Sequence, residues 1–186
     1  GAELGSHALS GAVFDPRALR ELAPEDWQDA PLEAPVGRER VLWLGRRRAL
    51  PFPIIPPPLR NHGCYVTSLG RLVQWMGARV EALGIDVFCE FSGSELLYED
   101  QRVVGVRTGD RGLDHEGRPK ANFEPGVDIR ARVVLLAEGP RGTLARQLEG
   151  RLGLTEGRNP QTYAIGLKET WQLPAGRLAA GDVVHT

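Results

Sequence analysis

The chain has 186 residues, is 41% hydrophobic and 25% charged, and carries a formal net charge of −1. That length admits one domain or parts of two, and the composition is that of a globular protein able to bury a core. A charge near zero supplies no global field to steer nucleic acid or an anionic membrane, and no apolar run is long enough to cross a bilayer.

The chain opens on Gly1-Ala2-Glu3-Leu4-Gly5-Ser6-His7-Ala8-Leu9-Ser10-Gly11-Ala12. Small residues of this kind let a backbone approach a cofactor closely. No strand or nucleotide-binding glycine fingerprint precedes them, so the sequence reads as one entered partway through a cofactor-binding domain. Asp15-Pro16 then predicts the start of a short helix reaching Leu22. Its apolar residues (Leu9, Val13, Phe14, Leu19, Leu22) have two readings. They form a membrane-surface element with Arg17 and Arg20 on its polar side, or they pack on the chain's own core, which the residues alone favour. Residues 28–40 are expected as a loop and 41–44 as a strand. The basic run Arg46-Arg47-Arg48 follows. With no nucleic-acid motif beside it, it is read as a solvated or docking face. Prolines between Pro51 and Pro58 make a stiff, extended connector.

Leu69, Leu72, Val73, Met76, Val80 and Leu83 recur at helical spacing and predict one amphipathic helix ended by Gly84. A strand is expected at 85–88, a hairpin from 95–99 and 103–107, and a glycine-rich excursion over 109–126. Residues 128–137 hold Ile129, Val133, Val134, Leu135 and Leu136, the pattern of a strand buried on both faces of a parallel sheet. A helix is expected over 143–152 and a further strand over 162–173.

One segment carries a chemical signal of its own. Leu135-Leu136-Ala137-Glu138-Gly139-Pro140-Arg141-Gly142 reads as strand, glycine turn and helix start, the place where open α/β sheets hold ligands. An ordinary strand-to-helix turn would need the same glycines, so the pattern alone does not choose. The histidines (His7, His62, His115, His185) and the two cysteines (Cys64, Cys89) stand at no metal-ligand spacing, so no metal site is expected, and two lone thiols fit a reducing compartment.

Further motifs carry a family resemblance. They are Gly5-Ser6-His7-Ala8-Leu9-Ser10-Gly11, Asp15-Pro16, Ala30-Pro31-Leu32, Asn61-His62-Gly63, Tyr65-Val66, Ser68-Leu69-Gly70 and Trp75-Met76-Gly77. Later come Glu81-Ala82-Leu83-Gly84, Gly117-Arg118-Pro119-Lys120-Ala121, Ala137-Glu138-Gly139, Pro160-Gln161-Thr162-Tyr163 and Gly166-Leu167-Lys168-Glu169. In this order they resemble the electron-transfer flavoprotein:ubiquinone oxidoreductase family over nearly the whole chain.

The resemblance implies a monotopic flavoenzyme of a mitochondrial or bacterial inner membrane. It would use one FAD and one 4Fe-4S cluster to pass electrons from reduced electron-transfer flavoprotein to ubiquinone. Residues 1–158 would be part of an α/β, Rossmann-like FAD-binding domain of glutathione-reductase type, and 159–186 the start of an α+β quinone-binding domain. Ser10 and Gly11 would lie near the flavin or pyrophosphate, and Ser94 would offer a backbone contact near adenine. Ala137, Glu138 and Gly139 would form the second flavin-contacting turn, and residues 5–27 would meet the membrane surface. No general acid or base is implied. The Gly-x-Gly-x-x-Gly turn, the acidic ribose ligand, the quinone-site glycines and the cluster cysteines are absent from these residues. The expectation is therefore an internal piece, marginally folded and weak in FAD binding by itself. Two alternatives stay open: another FAD-dependent enzyme (monooxygenase or geranylgeranyl-reductase-like), and a non-catalytic docking module.

Overall fold

The structure, a computed structural model, describes residues 2–8 and 11–186. Its strands are β1 (Ala12–Phe14), β2 (Leu32–Pro35), β3 (Glu39–Leu44), β4 (Ala49–Pro51), β5 (Tyr65–Thr67), β6 (Gly93–Glu99), β7 (Arg102–Thr108), β8 (Arg111–Leu113), β9 (Pro119–Glu124), β10 (Asp128–Arg130) and β11 (Val183–His185). Its helices are α1 (Arg17–Leu22), α2 (Leu69–Ala82) and α3 (Thr143–Leu152). These fall into two compact units, Gly1–Cys89 with Gly166–Thr186, and Glu90–Ile165.

The first unit holds two three-stranded sheets, ordered β1-β5-β2 and β11-β3-β4. α1 starts where expected: Asp15 Oδ1 accepts the Arg17 N–H at 3.0 Å, satisfying a donor at the start of the helix. α2 follows the predicted periodicity, but only Leu72 and Gly77 on it are buried. Leu19, Ala30 and Leu72 form the core, with Phe14, Trp27, Leu32 and Trp75 packed against it. Thr67 is fully buried and donates its hydroxyl to the Pro31 carbonyl at 2.8 Å, so its polar atom is satisfied inside the core.

In the second unit β6 and β7 form the expected hairpin, turning at Asp100 (φ 55°), and β10 pairs antiparallel on the far side of β7. α3 packs on β6: Leu144, Leu96 and Val104 are buried, and Gly93 leaves the room that Leu144 Cδ1 takes. The glycine-rich excursion is a second hairpin, β8–β9, whose base is tied by Asp110 Oδ1 accepting the Gly126 N–H at 2.8 Å.

Several expectations fail. Residues 28–40 are not a plain loop: they contain a 3-10 turn at Trp27–Asp29, all of β2 and the beginning of β3. The proline connector is broken by a 3-10 turn at Pro57–Leu59. Residues 85–88 and 162–173 are not strands; no neighbouring segment pairs with them among the described residues. The predicted parallel strand over 128–137 is reduced to β10, an antiparallel edge of three residues. Ala131 still donates to the Val104 carbonyl at 2.9 Å, then pairing stops and Leu135 stands 88% exposed. A central parallel strand needs partners on both edges and cover on both faces, and the described residues supply neither here. The one parallel pair among them is β11 with β3. The observed class is thus mixed α/β built of small sheets.

Candidate functional site

Of the six residues expected to meet a cofactor, Gly11 belongs to the first unit and Ser94, Ala137, Glu138 and Gly139 to the second. Ser10 lies outside the described residues. Gly11 adopts φ +77° and Gly139 φ +75°, and in both cases the space a Cβ would take is open. The backbone there is unshielded, as close approach by another group requires. Gly5 differs. A Cβ on it would run into the Gly70 carbonyl, so its close approach is made to α2.

The turn before α3 is built around Glu138. Helix starts carry unpaired N–H groups, and the Gly142 N-cap position has no side chain to take them. Glu138 does so from four residues upstream: its Oε1 accepts the Leu144 N–H at 3.3 Å and its Oε2 the Ala145 N–H at 2.9 Å. A Cβ at Gly142 would lie 2.6 Å from Glu138 Cβ and Oε2, so glycine is required for the carboxylate to reach. The Leu144 and Ala145 amides in the first turn of α3 are therefore occupied by the protein's own anion and are not free to hold a phosphate. The sequence held a signal for this, an acidic residue just upstream of a helix that lacks a Ser, Thr, Asp or Asn cap. Ser94 is engaged as well: its hydroxyl donates to the Arg107 carbonyl at 3.0 Å, and its own carbonyl accepts Gln147 Nε2 at 2.8 Å. Ala137 and Gly139 offer exposed backbone.

The early apolar segment is divided between core and surface among its described residues, with Leu19 buried and Val13 and Leu22 exposed. Phe14, Leu19 and Trp27 serve the core, leaving Leu22 as its most exposed large apolar side chain among the described residues. An exposed apolar surface is found on the β3–β4 hairpin, whose basic turn the sequence reads as a solvated or docking face and whose apolar side chains it does not single out. β11 pairs with β3 only over Glu39–Val41, so beyond Val41 the hairpin runs on as a two-stranded ribbon, Trp43 opposite Leu50. Trp43 is 73% exposed and Leu44 59%; Leu50, Phe52 and Ile54 are exposed too. Arg46, Arg47 and Arg48 occupy the turn, closed by Gly45 donating to the Arg48 carbonyl at 2.8 Å. Aromatic and aliphatic side chains beside a cationic tip make an amphipathic interaction surface.

The Asn61-His62-Gly63 motif sits at the foot of this hairpin. Glu39 accepts the Asn61 backbone N–H at 3.0 and 3.1 Å and the Asn61 side-chain amide at 2.6 Å. Burial pushes the Cys64 thiol up from its usual range, which disfavours the thiolate. No group of three or more His, Cys, Asp or Glu side chains fit to hold a metal occurs among the described residues. No helix there is long and apolar enough to cross a membrane.

Fold and sites together define a mixed α/β protein with an open glycine turn leading into a capped helix, and a cation-tipped apolar hairpin. No family model matches the chain. Its whole length is 45% identical, over 189 residues, to the electron transfer flavoprotein-ubiquinone oxidoreductase of Bos taurus mitochondria. It is 44% identical to that of Homo sapiens over 189 residues and 43% to that of Arabidopsis thaliana over 190, again across all of this chain. In each case the chain spans about 30% of the relative's length. The resemblance to electron transfer flavoprotein-ubiquinone oxidoreductases therefore holds along the entire chain.

Proposed function

We propose that this chain serves an oxidoreductase that takes electrons from reduced electron-transfer flavoprotein and delivers them to ubiquinone at a mitochondrial or bacterial inner membrane. The observation that carries this reading is the 45% identity, over an alignment covering the whole chain, to a protein named for that reaction. FAD is the cofactor the reading requires, and bound FAD supplies the one- and two-electron chemistry. The residues here fit it in part, within a Rossmann-like domain over 1–158. Taken each by itself, the open backbone at Gly11 in the first unit and the exposed turn at Ala137 and Gly139 in the second suit close approach by a cofactor group. Ser10 is assigned to the same role by the resemblance alone. Glu138 acts one step back: it fixes the start of α3 and so the path of the turn. Ser94 likewise ties β6 to α3 through Gln147. A 4Fe-4S cluster does not fit these residues. Two isolated cysteines, one with its thiolate disfavoured, are not a four-thiolate set, and no step is routed through a cluster here.

Membrane contact is assigned to the β3–β4 hairpin, which exposes Trp43, Leu44, Leu50, Phe52 and Ile54, beside the contact that the resemblance implies for residues 5–27, where Leu19 is buried and Val13 and Leu22 are exposed. Exposed tryptophan and arginine together suit an anionic lipid surface.

The test of the reaction is a chimera in which this chain replaces the matching segment of the bovine relative. Retained flavin content and retained electron-transfer-flavoprotein-dependent ubiquinone reduction are expected; a folded, flavin-loaded chimera without that activity would sink the reading. For the hairpin, vesicles of neutral and anionic lipid are compared. At about 1 kcal/mol per arginine near an anionic surface, replacing Arg46, Arg47 and Arg48 by serine weakens binding on the order of a hundredfold.

A further inference from the structure

The hairpin departs from the first unit at Glu39 and returns to it at Asn61, 22 residues later. Both feet meet at one carboxylate. Glu39 is 11% exposed in its side chain and receives three N–H contacts from Asn61, two of them from the backbone amide. Asn61 is held from its other side too, its Nδ2 donating to the Leu59 carbonyl at 3.0 Å. A third segment closes the corner: His185 of β11 brings Nε2 to 3.9 Å from Glu39 Oε1, and that nitrogen is buried without a hydrogen-bond partner. The hairpin is also held by the β3–β4 ladder and by β11 on β3, and just outside its feet the Val36 N–H donates to the Cys64 carbonyl at 2.9 Å; along the return, Phe52 N–H donates to the Val41 carbonyl at 2.8 Å and Arg60 Nε to the Ile55 carbonyl at 3.1 Å. A two-stranded ribbon is marginal in isolation, and holding the ends of a 22-residue excursion together opposes loop entropy. The half-buried, charge-assisted contact between Glu39 and Asn61 is the side-chain tie that joins the two feet directly.

We infer that Glu39 is a positioning residue, the staple that fixes the β3–β4 hairpin on the body through Asn61. This rests on the interfacial role proposed for the hairpin. In it Asn61 of the Asn61-His62-Gly63 motif is a structural partner of Glu39.

The experiment uses the full chain and four variants: Glu39→Ala, Asn61→Ala, the double variant, and Glu39→Gln. The first readout is the rate of tryptic cleavage at Arg46–Arg48, with far-UV circular dichroism confirming that each variant is folded. Losing hydrogen bonds to a charged group predicts cleavage about tenfold faster in Glu39→Ala. Asn61→Ala gives a similar rise and the double variant adds little to either, the mark of one shared interaction. Glu39→Gln keeps the oxygen that serves both Asn61 donors and restores most of the protection. Unchanged cleavage in folded Glu39→Ala, or additive effects in the double variant, would overturn the staple. The second readout is binding to anionic vesicles, expected to weaken in Glu39→Ala. Faster cleavage with unchanged vesicle binding supports the staple and overturns the interfacial role of the hairpin instead.

Discussion

Glu138 is held by two amides of α3, and its carboxylate and the bare Gly142 depend on each other. Glu138→Ala removes the cap and costs about 1 kcal/mol, the usual loss for a helix N-terminal acceptor. Gly142→Ala reaches the same end by a different route, since its methyl would occupy the carboxylate's place. Both variants are expected to speed amide exchange over 143–146 while leaving β6–β7 protected, which hydrogen exchange resolved by residue would read. Equal protection of α3 in wild type and Glu138→Ala would refute the capping role. The motif Ala137-Glu138-Gly139 was legible as a strand-end turn. What Glu138 does there was not, because a side chain reaching an amide seven residues away depends on the turn's geometry, which the spacing of glycines does not specify.

At the scale of elements, what is local was legible and what is long-range was not. The β6–β7 hairpin and helices α2 and α3 follow from periodicity and turn residues within a short window. The parallel pairing of β11 with β3 joins residues 144 apart (Val183 to Glu39), and no local pattern announces it. Its approach is fixed by an ion pair: Arg38 Nε and Nη2 donate to the two oxygens of Asp182, at 3.3 and 2.5 Å. The Asp182 side chain is 5% exposed, and the Arg38 guanidinium, helped by the Ala179 N–H, holds its carboxyl below the usual carboxylate range. A carboxyl lowered in the folded state stabilises that state above its unfolded value of about 4 and loses the contribution as pH falls through the lowered value. Protection of the Val183 amide, bonded to the Arg38 carbonyl at 2.9 Å, is therefore expected to be flat from neutral pH down to about 4 and to fall below it. Asp182→Asn is expected to abolish that acid-side fall and lower protection at neutral pH. A variant retaining wild-type protection across the range would refute the role.

For the molecule as a whole, the telling quantity is where apolar area remains uncovered. Leu96, Val104 and Leu144 are buried in the second unit, while Val133, Leu135, Ile165 and Leu167 are largely in water. The sequence reads residues 128–137 as the interior of a sheet because its apolar run is that of a strand covered on two faces; the described chain gives it one edge contact at β10, and beyond it Val134 and Leu136 are only half-buried while Val133 and Leu135 are exposed. The same residues bear on the cofactor. Two amides in the first turn of α3 are occupied by Glu138, and no glycine fingerprint for a pyrophosphate occurs in the 186 residues. The purified chain is therefore expected to lack a stoichiometric flavin spectrum, and one that co-purifies with it would contradict this account. Leu135→Lys separates the two roles of an apolar residue. In the isolated chain it removes exposed apolar surface without emptying a core, so solubility rises and the unfolding midpoint is unchanged. Leu96→Ala, cut from the buried face of β6, is expected to lose about 2–4 kcal/mol. If Leu135→Lys cost as much as Leu96→Ala in the isolated chain, the 131–137 segment would have to be covered there, and the sheet expected from sequence would be present in solution.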